Sequence, residues 1–204
     1  AALLVVPNFV RLLNMLGVET LINKKLPELN VVDPSGRQGR YLLQRLFTLR
    51  LITSSIFCIS LYFALPYYFE FVNKQELLEY RIVILMYFLA ITVNSFLSTL
   101  FMTQLRYKVV SITEMIGAML NLILLIIFVM MDTGVFGIFY AYISSTSMSI
   151  LIYTWFSRVD FAGKAEVPVW GDMKPLALTS YVMSLFSFGL MTQSDVLLLN
   201  FFQI

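Results

Sequence analysis

The chain has 204 residues, of which 59% are apolar and 13% are charged, and it carries a net charge of +2 with no histidine. Soluble domains contain roughly a quarter charged residues, so this composition excludes a soluble globular protein and predicts a membrane protein. The small net charge does not favour nucleic-acid binding. The absence of histidine removes histidine-based acid–base chemistry and metal ligation.

Apolar runs follow one another along the chain. A bilayer core about 30 Å thick needs roughly 20 apolar residues of helix. The first run, Ala1–Gly17, begins without a Met, and we interpret it as the end of a helix that starts upstream in a longer protein. Four complete runs and a fifth, longer one follow: Leu51–Phe69, Ile82–Met102, Val109–Met131, Gly134–Phe156 and Leu176–Ile204.

The fold class follows from these runs. Because lipid offers no partner to backbone polar groups, each run is predicted to be helical. The sequence therefore predicts an all-α, polytopic transmembrane helical bundle.

The connections between the runs alternate in charge. Lys and Arg number six in Glu19–Arg50, two in Thr103–Lys108 and three in Ser157–Pro175, against two in Glu70–Arg81 and none in Asp132–Thr133. Since cytoplasmic loops carry the excess of basic residues, segments 19–50, 103–108 and 157–175 are predicted to be cytoplasmic.

Side chains near the ends of the runs predict how the helices meet the membrane surface. Four leucines at helical spacing predict a helix that enters the membrane from the cytoplasm, with Arg40, Arg45 and Arg50 on its other faces: Leu42, Leu43, Leu46 and Leu49. Aromatic residues are expected at the headgroup level, on the outer side Tyr67, Tyr68 and Phe69 and on the inner side Tyr153, Trp155 and Phe156.

The strongest candidates for a binding site lie in the first run. Arg11 has Asn8 and Asn14 three positions away on either side, so the three side chains share one helix face. The planar guanidinium of Arg11 matches the oxygens of a phosphate or a carboxylate. Equally, the side chain of Arg11 can extend to the headgroups, since Gly17 ends the run nearby.

Other polar residues within apolar runs are further candidates, because polar groups are costly in a bilayer. Gln193 and Asp195 form a polar break in the last run, either at a cavity or at a solvated helix end. Glu114 and Asn121, seven positions apart, share a face and are secondary candidates for a cavity. Alternatively, Glu114 pairs with interfacial bases such as Arg106. Ser145, Ser149 and their neighbouring hydroxyl residues are expected to be helix-packing contacts.

Residue sets that carry catalysis do not occur in the chain. There is no glycine-rich phosphate loop, no cysteine pair, no serine–histidine pair and no pair of carboxylates at an active-site spacing. The loops assigned to the outer side are too short to hold an active site. We therefore expect no catalytic residues, no metal site and no enzymatic activity.

Two short motifs resemble those of the polysaccharide flippases, in the superfamily that also holds the MATE drug exporters and the peptidoglycan-precursor flippases. The first is Asn14–Glu19 followed by Ile22–Leu29, which is similar to the end of the family's second helix, although Asn14 stands where an acid is usual. The second is Thr192–Leu199, which resembles the Ser/Thr-x-x-Asp-x-x-Leu-Leu pattern of the seventh helix.

This resemblance implies an architecture. Residues 1–157 would form the N-terminal lobe of a two-lobe MATE-like transporter, residues 158–175 the cytoplasmic link and residues 176–204 the first helix of the second lobe. The lobes would rock around a central cavity in alternating access. Arg11 and Asp195 would lie on cavity-lining helices, whereas Glu114 would not.

The resemblance also implies a function. The expected activity is the movement of a polyprenyl-pyrophosphate-linked oligosaccharide across a bacterial plasma (inner) membrane during cell-surface polysaccharide synthesis. The expected partners are the lipid bilayer, this lipid-linked oligosaccharide and polysaccharide-assembly proteins. No cofactor is expected beyond a coupling ion, proton or sodium, for which Asp195 is a candidate acid.

Three alternatives remain open at this point. A MATE-type, ion-coupled drug exporter would favour acids over arginine in the cavity. A membrane-embedded glycan polymerase or ligase would need a larger outer loop than Glu70–Arg81. The third alternative is a membrane scaffold that transports nothing.

Overall fold

The computed structural model of the chain describes residues 17–71, 73 and 75–167, together with single residues at 7, 8, 10, 11, 13, 14, 175, 178, 179 and 182. Within these ranges the protein is all-α, which confirms the predicted fold class. The elements are α1 (Val18–Val32), α2 (Arg37–Phe71), a 3-10 helix (Gln75–Tyr80), α3 (Arg81–Thr103), α4 (Tyr107–Met130) and α5 (Gly134–Phe161).

The described residues contain four helical segments long and apolar enough to cross a membrane: Arg37–Phe71, Gln75–Thr103, Tyr107–Met130 and Gly134–Arg158. They confirm the four complete runs. The fifth run, Leu176–Ile204, lies almost wholly outside the described residues. The helix α5 continues to Phe161, so the residues after Ser157, assigned to the link from sequence, begin as helix.

Helix α2 is longer than a bilayer requires. Its 35 residues correspond to about 52 Å at 1.5 Å per residue, against a bilayer core of about 30 Å. The helix therefore starts well outside the apolar run, as the leucine spacing predicts. Leu42, Leu43 and Leu46 are buried and Leu49 is exposed.

Helices α3, α4 and α5 are joined by very tight turns. Each turn holds one non-glycine residue in the left-handed region, Leu105 with φ 57° and Asp132 with φ 52°. In the first turn, the amide of the next residue, Arg106, donates to the Phe101 carbonyl, five residues earlier. In the second, the Thr133 amide donates in the same way to the Phe128 carbonyl. These bonds satisfy the last carbonyls of α3 and α4 and reverse the chain within a few residues.

The helices pack around two apolar clusters. The first, on the predicted cytoplasmic side, is centred on α1, the start of α2 and the end of α3 and includes Ile22, Leu26, Leu42, Leu43, Phe96, Leu100 and Tyr153. The second lies towards the predicted outer side and includes Leu61, Leu65, Phe69, Val83, Ile84, Tyr87 and Phe139. Between them along α2 lie two buried polar residues, Arg50 and Ser54.

Two aromatic residues that the sequence analysis placed at the headgroups are buried, so those predictions were wrong. Tyr153 is 1% exposed and stacks on Phe101, with ring centroids 5.2 Å apart. Phe69 is also 1% exposed, in the second cluster. Both residues lie on the side of their helix that packs against neighbouring helices. Trp155 and Phe156 are exposed, as expected for interfacial residues.

The segment after α5 is bound to the start of α2. The Arg40 Nε atom donates to the Lys164 carbonyl at 3.2 Å, and the Glu166 amide donates to the Arg37 carbonyl at 3.2 Å. One turn along α2, Gln44 Nε2 donates to the Phe161 carbonyl at 2.9 Å. These bonds join the segments predicted to be cytoplasmic, 19–50 and 157–175, at one end of the bundle.

The turn between α1 and α2 is fixed by Asp33. Its carboxylate accepts hydrogen bonds from Ser35 and from the Gln38 amide, and these bonds, that from Ser35 above all, lower the pKa of this exposed carboxyl. Asp33 therefore stays charged near neutral pH and holds the start of α2 beside α1.

Helices α4 and α5 meet closely at Gly117. A Cβ atom on Gly117 would lie 2.8 Å from the Ser149 hydroxyl oxygen, so the Ser149 side chain or one of the two helices would have to shift. We expect Gly117→Ala to lower the free energy of unfolding by about 1–3 kcal/mol through overpacking. Thermal unfolding of the full-length protein in detergent measures this. The double variant Gly117→Ala/Ser149→Ala should regain stability, and an unrelieved loss would show that the contact with Ser149 is not the cause.

Candidate functional site

Residues 7, 8, 10, 11 and 13, which with Asn14 we call the N-terminal stretch, are helical, and α1 begins at Val18 after a turn residue, Gly17. The backbone N–H of Asn14 donates to the Val10 carbonyl at 3.0 Å, as in a helix. Gly17, with φ 70°, directly precedes α1. This left-handed conformation suits glycine and bends the chain away from a continuous helix. The Asn14 carbonyl is consequently available to a side-chain donor.

That donor is Arg50 of α2. Its Nη1 atom donates to the Asn14 carbonyl, and its Nη2 atom lies 3.0 Å from Glu19 Oε1 in the first turn of α1. Arg50 is only 1% exposed, and the Glu19 side chain is 16% exposed. The Arg50 cation lies at the C-terminal end of the N-terminal stretch, and the Glu19 anion lies at the N-terminal end of α1. The helix dipoles favour both placements.

Ser54 completes the arrangement one turn further along α2. Its hydroxyl donates to the Arg50 carbonyl at 2.6 Å and accepts a hydrogen bond from Asn14 Nδ2 at 2.7 Å. Arg11, Asn14, Glu19, Arg50 and Ser54 thus form one group, which we call the buried polar cluster. It joins the N-terminal stretch, α1 and α2.

The depth of the buried polar cluster follows from its neighbours. Asn23, one turn after Glu19 on α1, bonds through its side chain to Thr103, the last residue of α3. Four residues of helix correspond to about 6 Å. Glu19 therefore lies, measured along α1, about one helical turn from the contact with the end of α3. By the predicted orientation this is the cytoplasmic boundary of the membrane.

The buried polar cluster carries an excess of positive charge. Glu19 forms its ion pair with Arg50, and the charge of Arg11 acts on both, so the cluster holds two guanidinium groups and one carboxylate. The Nε atoms of Arg11 and Arg50 are both buried and have no hydrogen-bond partner in the described part of the chain. A buried charge needs a counterion and buried N–H groups need acceptors. Both requirements are met by an anion with several oxygens.

Burial also affects Glu19. Loss of solvent raises the pKa of this carboxyl above its ordinary value, and the nearby charges of Arg50 and Arg11 offset only part of that effect. Glu19 therefore takes up a proton more readily than an exposed glutamate does.

The structure brings together two of the three residues predicted in the first run. Asn14 is fully buried and bonded to Ser54, and the half-buried Arg11 lies within electrostatic reach of Glu19 and Arg50. Asn8 is helical and half-buried. The predicted candidates Gln193 and Asp195 lie outside the described residues.

The secondary candidates lie elsewhere, on α4. Glu114 is exposed, and Asn121 is half-buried with its Oδ1 atom buried and unpaired within the described ranges. The suggested pairing of Glu114 with Arg106 is not formed, because Arg106 pairs with Asp160 at the end of α5, 3.1 Å away. A cavity role for Glu114 and Asn121 stays a prediction.

Sequence reasoning missed Arg50 and Glu19 as site residues. It counted both in the cytoplasmic segment and put Arg50 on a face away from the leucines, which was wrong. Arg50 follows Leu43 and Leu46 by seven and four positions, so it continues the same buried stripe. This spacing was the available signal. Arg45 is exposed on another face, as predicted.

Comparison with known proteins agrees with this architecture. The profile of the family described as "Polysaccharide biosynthesis protein" matches residues 1–202, which is nearly the whole chain. Comparison with curated proteins and with solved structures gives no match. Together with the four apolar helices, the profile match shows that this chain belongs to the polysaccharide biosynthesis protein family, multi-pass membrane proteins of the MATE-like flippase superfamily.

Proposed function

We propose that the protein moves a polyprenyl-pyrophosphate-linked oligosaccharide from the cytoplasmic to the outer leaflet of a bacterial plasma membrane. The buried polar cluster supplies the observation that carries this proposal. Two arginines with one carboxylate leave a positive site at the predicted cytoplasmic boundary, with two N–H groups that have no partner among the described residues. A lipid-linked sugar made in the cytoplasm presents its pyrophosphate at this level.

The chemistry of the site fits a pyrophosphate better than a neutral sugar or a cationic drug. A guanidinium group donates in a planar fork that matches phosphate oxygens, and such charge-assisted bonds are roughly twice as strong as neutral ones. A cationic drug would be repelled by the excess positive charge. Because this contact is made to the pyrophosphate and not to the sugar, it allows substrates with different glycans to bind.

Alternating access provides the movement in this proposal. Residues 1–157 act as one lobe, residues 158–175 as the link and residues 176–204 as the start of the second lobe, with Asp195 as a candidate for ion coupling. The bonds from Arg40 and Gln44 support a firm attachment of the first part of the link to the N-terminal lobe. The rocking motion would then occur beyond this attachment.

A transport assay tests the proposal. The full-length protein is reconstituted in vesicles that contain a fluorescent polyprenyl-pyrophosphate oligosaccharide, and a membrane-impermeant quencher reports the leaflet in which the label resides. We expect movement between leaflets well above that in protein-free vesicles. Movement at the protein-free rate would contradict the proposal.

Two substrate controls separate the alternatives. A polyprenyl monophosphate sugar presents fewer phosphate oxygens to the two arginines, so we expect it to move more slowly. A fluorescent organic cation tests the drug-exporter alternative. Transport of the cation without movement of the pyrophosphate lipid would overturn the proposed function in favour of a drug exporter.

A further inference from the structure

Glu19 occupies the position that an incoming anion would need. It pairs with Arg50 at 3.0 Å, and its charge interacts with that of Arg11. A carboxylate that already neutralises a guanidinium competes with any other anion for the same donors. The substrate-free arrangement therefore contains its own counterion.

The charged groups around Glu19 are few. The N-terminal stretch contributes Arg11 and α2 contributes Arg50. Helix α3, which also packs against α1, has one charged residue, Arg81, at its opposite end, where it bonds to Tyr62. Within the described part of the chain, the charge state of Glu19 thus decides whether this site is strongly or weakly positive.

We propose that Glu19 is a removable internal counterion, so that binding of a pyrophosphate headgroup at Arg11 and Arg50 is coupled to proton uptake by Glu19. This inference rests on the proposed function, since it assigns a control to the same site. With Glu19 ionised, the site has one excess positive charge. With Glu19 protonated it has two, and no carboxylate competes with the headgroup for the guanidinium groups.

Linkage gives the sign of the effect. An anion in the site disfavours the ionised form of Glu19, so anion binding raises the pKa of Glu19, which burial has already raised. By reciprocity, protonation of Glu19 increases the affinity for the anion. Affinity is therefore highest at acidic pH and falls as pH rises through the range in which Glu19 loses its proton. The proton taken up on binding is released when the headgroup leaves.

Inorganic pyrophosphate is a suitable probe. Its binding to the full-length protein in detergent is measured by titration calorimetry from about pH 5 to about pH 8, in buffers of different ionisation enthalpy that report proton uptake. Relative to a variant in which residue 19 cannot ionise, the wild-type affinity should fall by about fivefold or more across this range, the scale of typical couplings between sites. The probe also titrates, so only the difference between variants is used.

The deciding variant is Glu19→Gln, which keeps the size of the side chain and cannot ionise. We expect it to bind pyrophosphate about as tightly as the wild type at acidic pH and more tightly than the wild type at alkaline pH, and to take up fewer protons on binding. The matched control is Glu28→Gln, which removes an exposed carboxylate from the same helix, where Glu28 pairs with Lys25. It should behave as the wild type.

The outcomes separate this inference from the proposed function. If wild type and Glu19→Gln bind pyrophosphate with the same pH dependence and the same proton uptake, the counterion role is wrong and the anion site stands. If neither protein binds pyrophosphate at any pH, the anion site fails and the inference fails with it. A cooperative unfolding transition of Glu19→Gln well above the measuring temperature shows that it is folded during the measurement, although loss of the ion pair with Arg50 lowers its stability.

Discussion

Replacing Arg50 with methionine is expected to lower the free energy of unfolding by about 3–5 kcal/mol, the typical cost of removing one partner from a buried ion pair. Methionine fills similar space, but it leaves the Glu19 carboxylate without its counterion and the Asn14 carbonyl without its donor. Because α1 and α2 meet at this pair, their contact should loosen. Thermal unfolding of the full-length protein in detergent, and its abundance in the membrane, measure the loss.

Two comparisons make this prediction specific. Arg45→Met removes an exposed arginine from the same helix and should leave stability within about 0.5 kcal/mol of the wild type. The double variant Arg50→Met/Glu19→Gln removes the uncompensated charge and should recover part of the loss. Additive effects of the two substitutions would show that Arg50 and Glu19 are not coupled, and the ion pair would not be the source of the stability.

Replacing Arg11 with alanine is expected to abolish surface polysaccharide while leaving the amount of protein in the membrane unchanged. Arg11 is half-buried, and its Nε atom has no hydrogen-bond partner among the described residues, so its removal should cost little stability. A hydrogen bond to a charged group is worth about 1.5–3 kcal/mol, which corresponds to about a 10- to 150-fold loss of substrate binding.

Arg11→Lys tests what the guanidinium adds. Lysine keeps the charge but not the planar fork, so it should restore only part of the transport. The quantity measured is movement of the labelled lipid in reconstituted vesicles, alongside polysaccharide at the cell surface. Wild-type polysaccharide from cells with Arg11→Ala would remove Arg11 from the site. Arg45→Ala, which deletes an exposed arginine, should transport normally and serves as the control for charge alone.

Most of the fold could be predicted from the sequence. Runs of about 20 apolar residues have to be helices in a bilayer, because each backbone group must find its partner within the segment. The four complete runs therefore appear as helices close to their predicted limits, for example Ile82–Met102 within α3. The leucine spacing before Leu51 likewise predicts the early start of α2.

The aromatic residues show where this reasoning stops. Composition places tyrosine and phenylalanine near the ends of the spans, but it cannot distinguish a lipid-facing ring from one that packs on a neighbouring helix. Tyr153 and Phe69 proved to be buried, because α3 covers them. Which face of a helix is covered depends on where the other helices lie, and an apolar run in lipid has no polar face to reveal it.

For this protein, the sequence by itself determined the class and the number and limits of the complete spans, and it predicted Arg11 and Asn14 as candidate site residues. Only the tertiary structure decided that Arg50, counted as one more cytoplasmic base, is buried beside Glu19. The reason is physical: hydropathy and spacing act within one segment, whereas the charge balance of a buried site arises between segments. Here the interruption at Gly17 opens the Asn14 carbonyl, and the packing of α1 on α2 brings Arg50 to it.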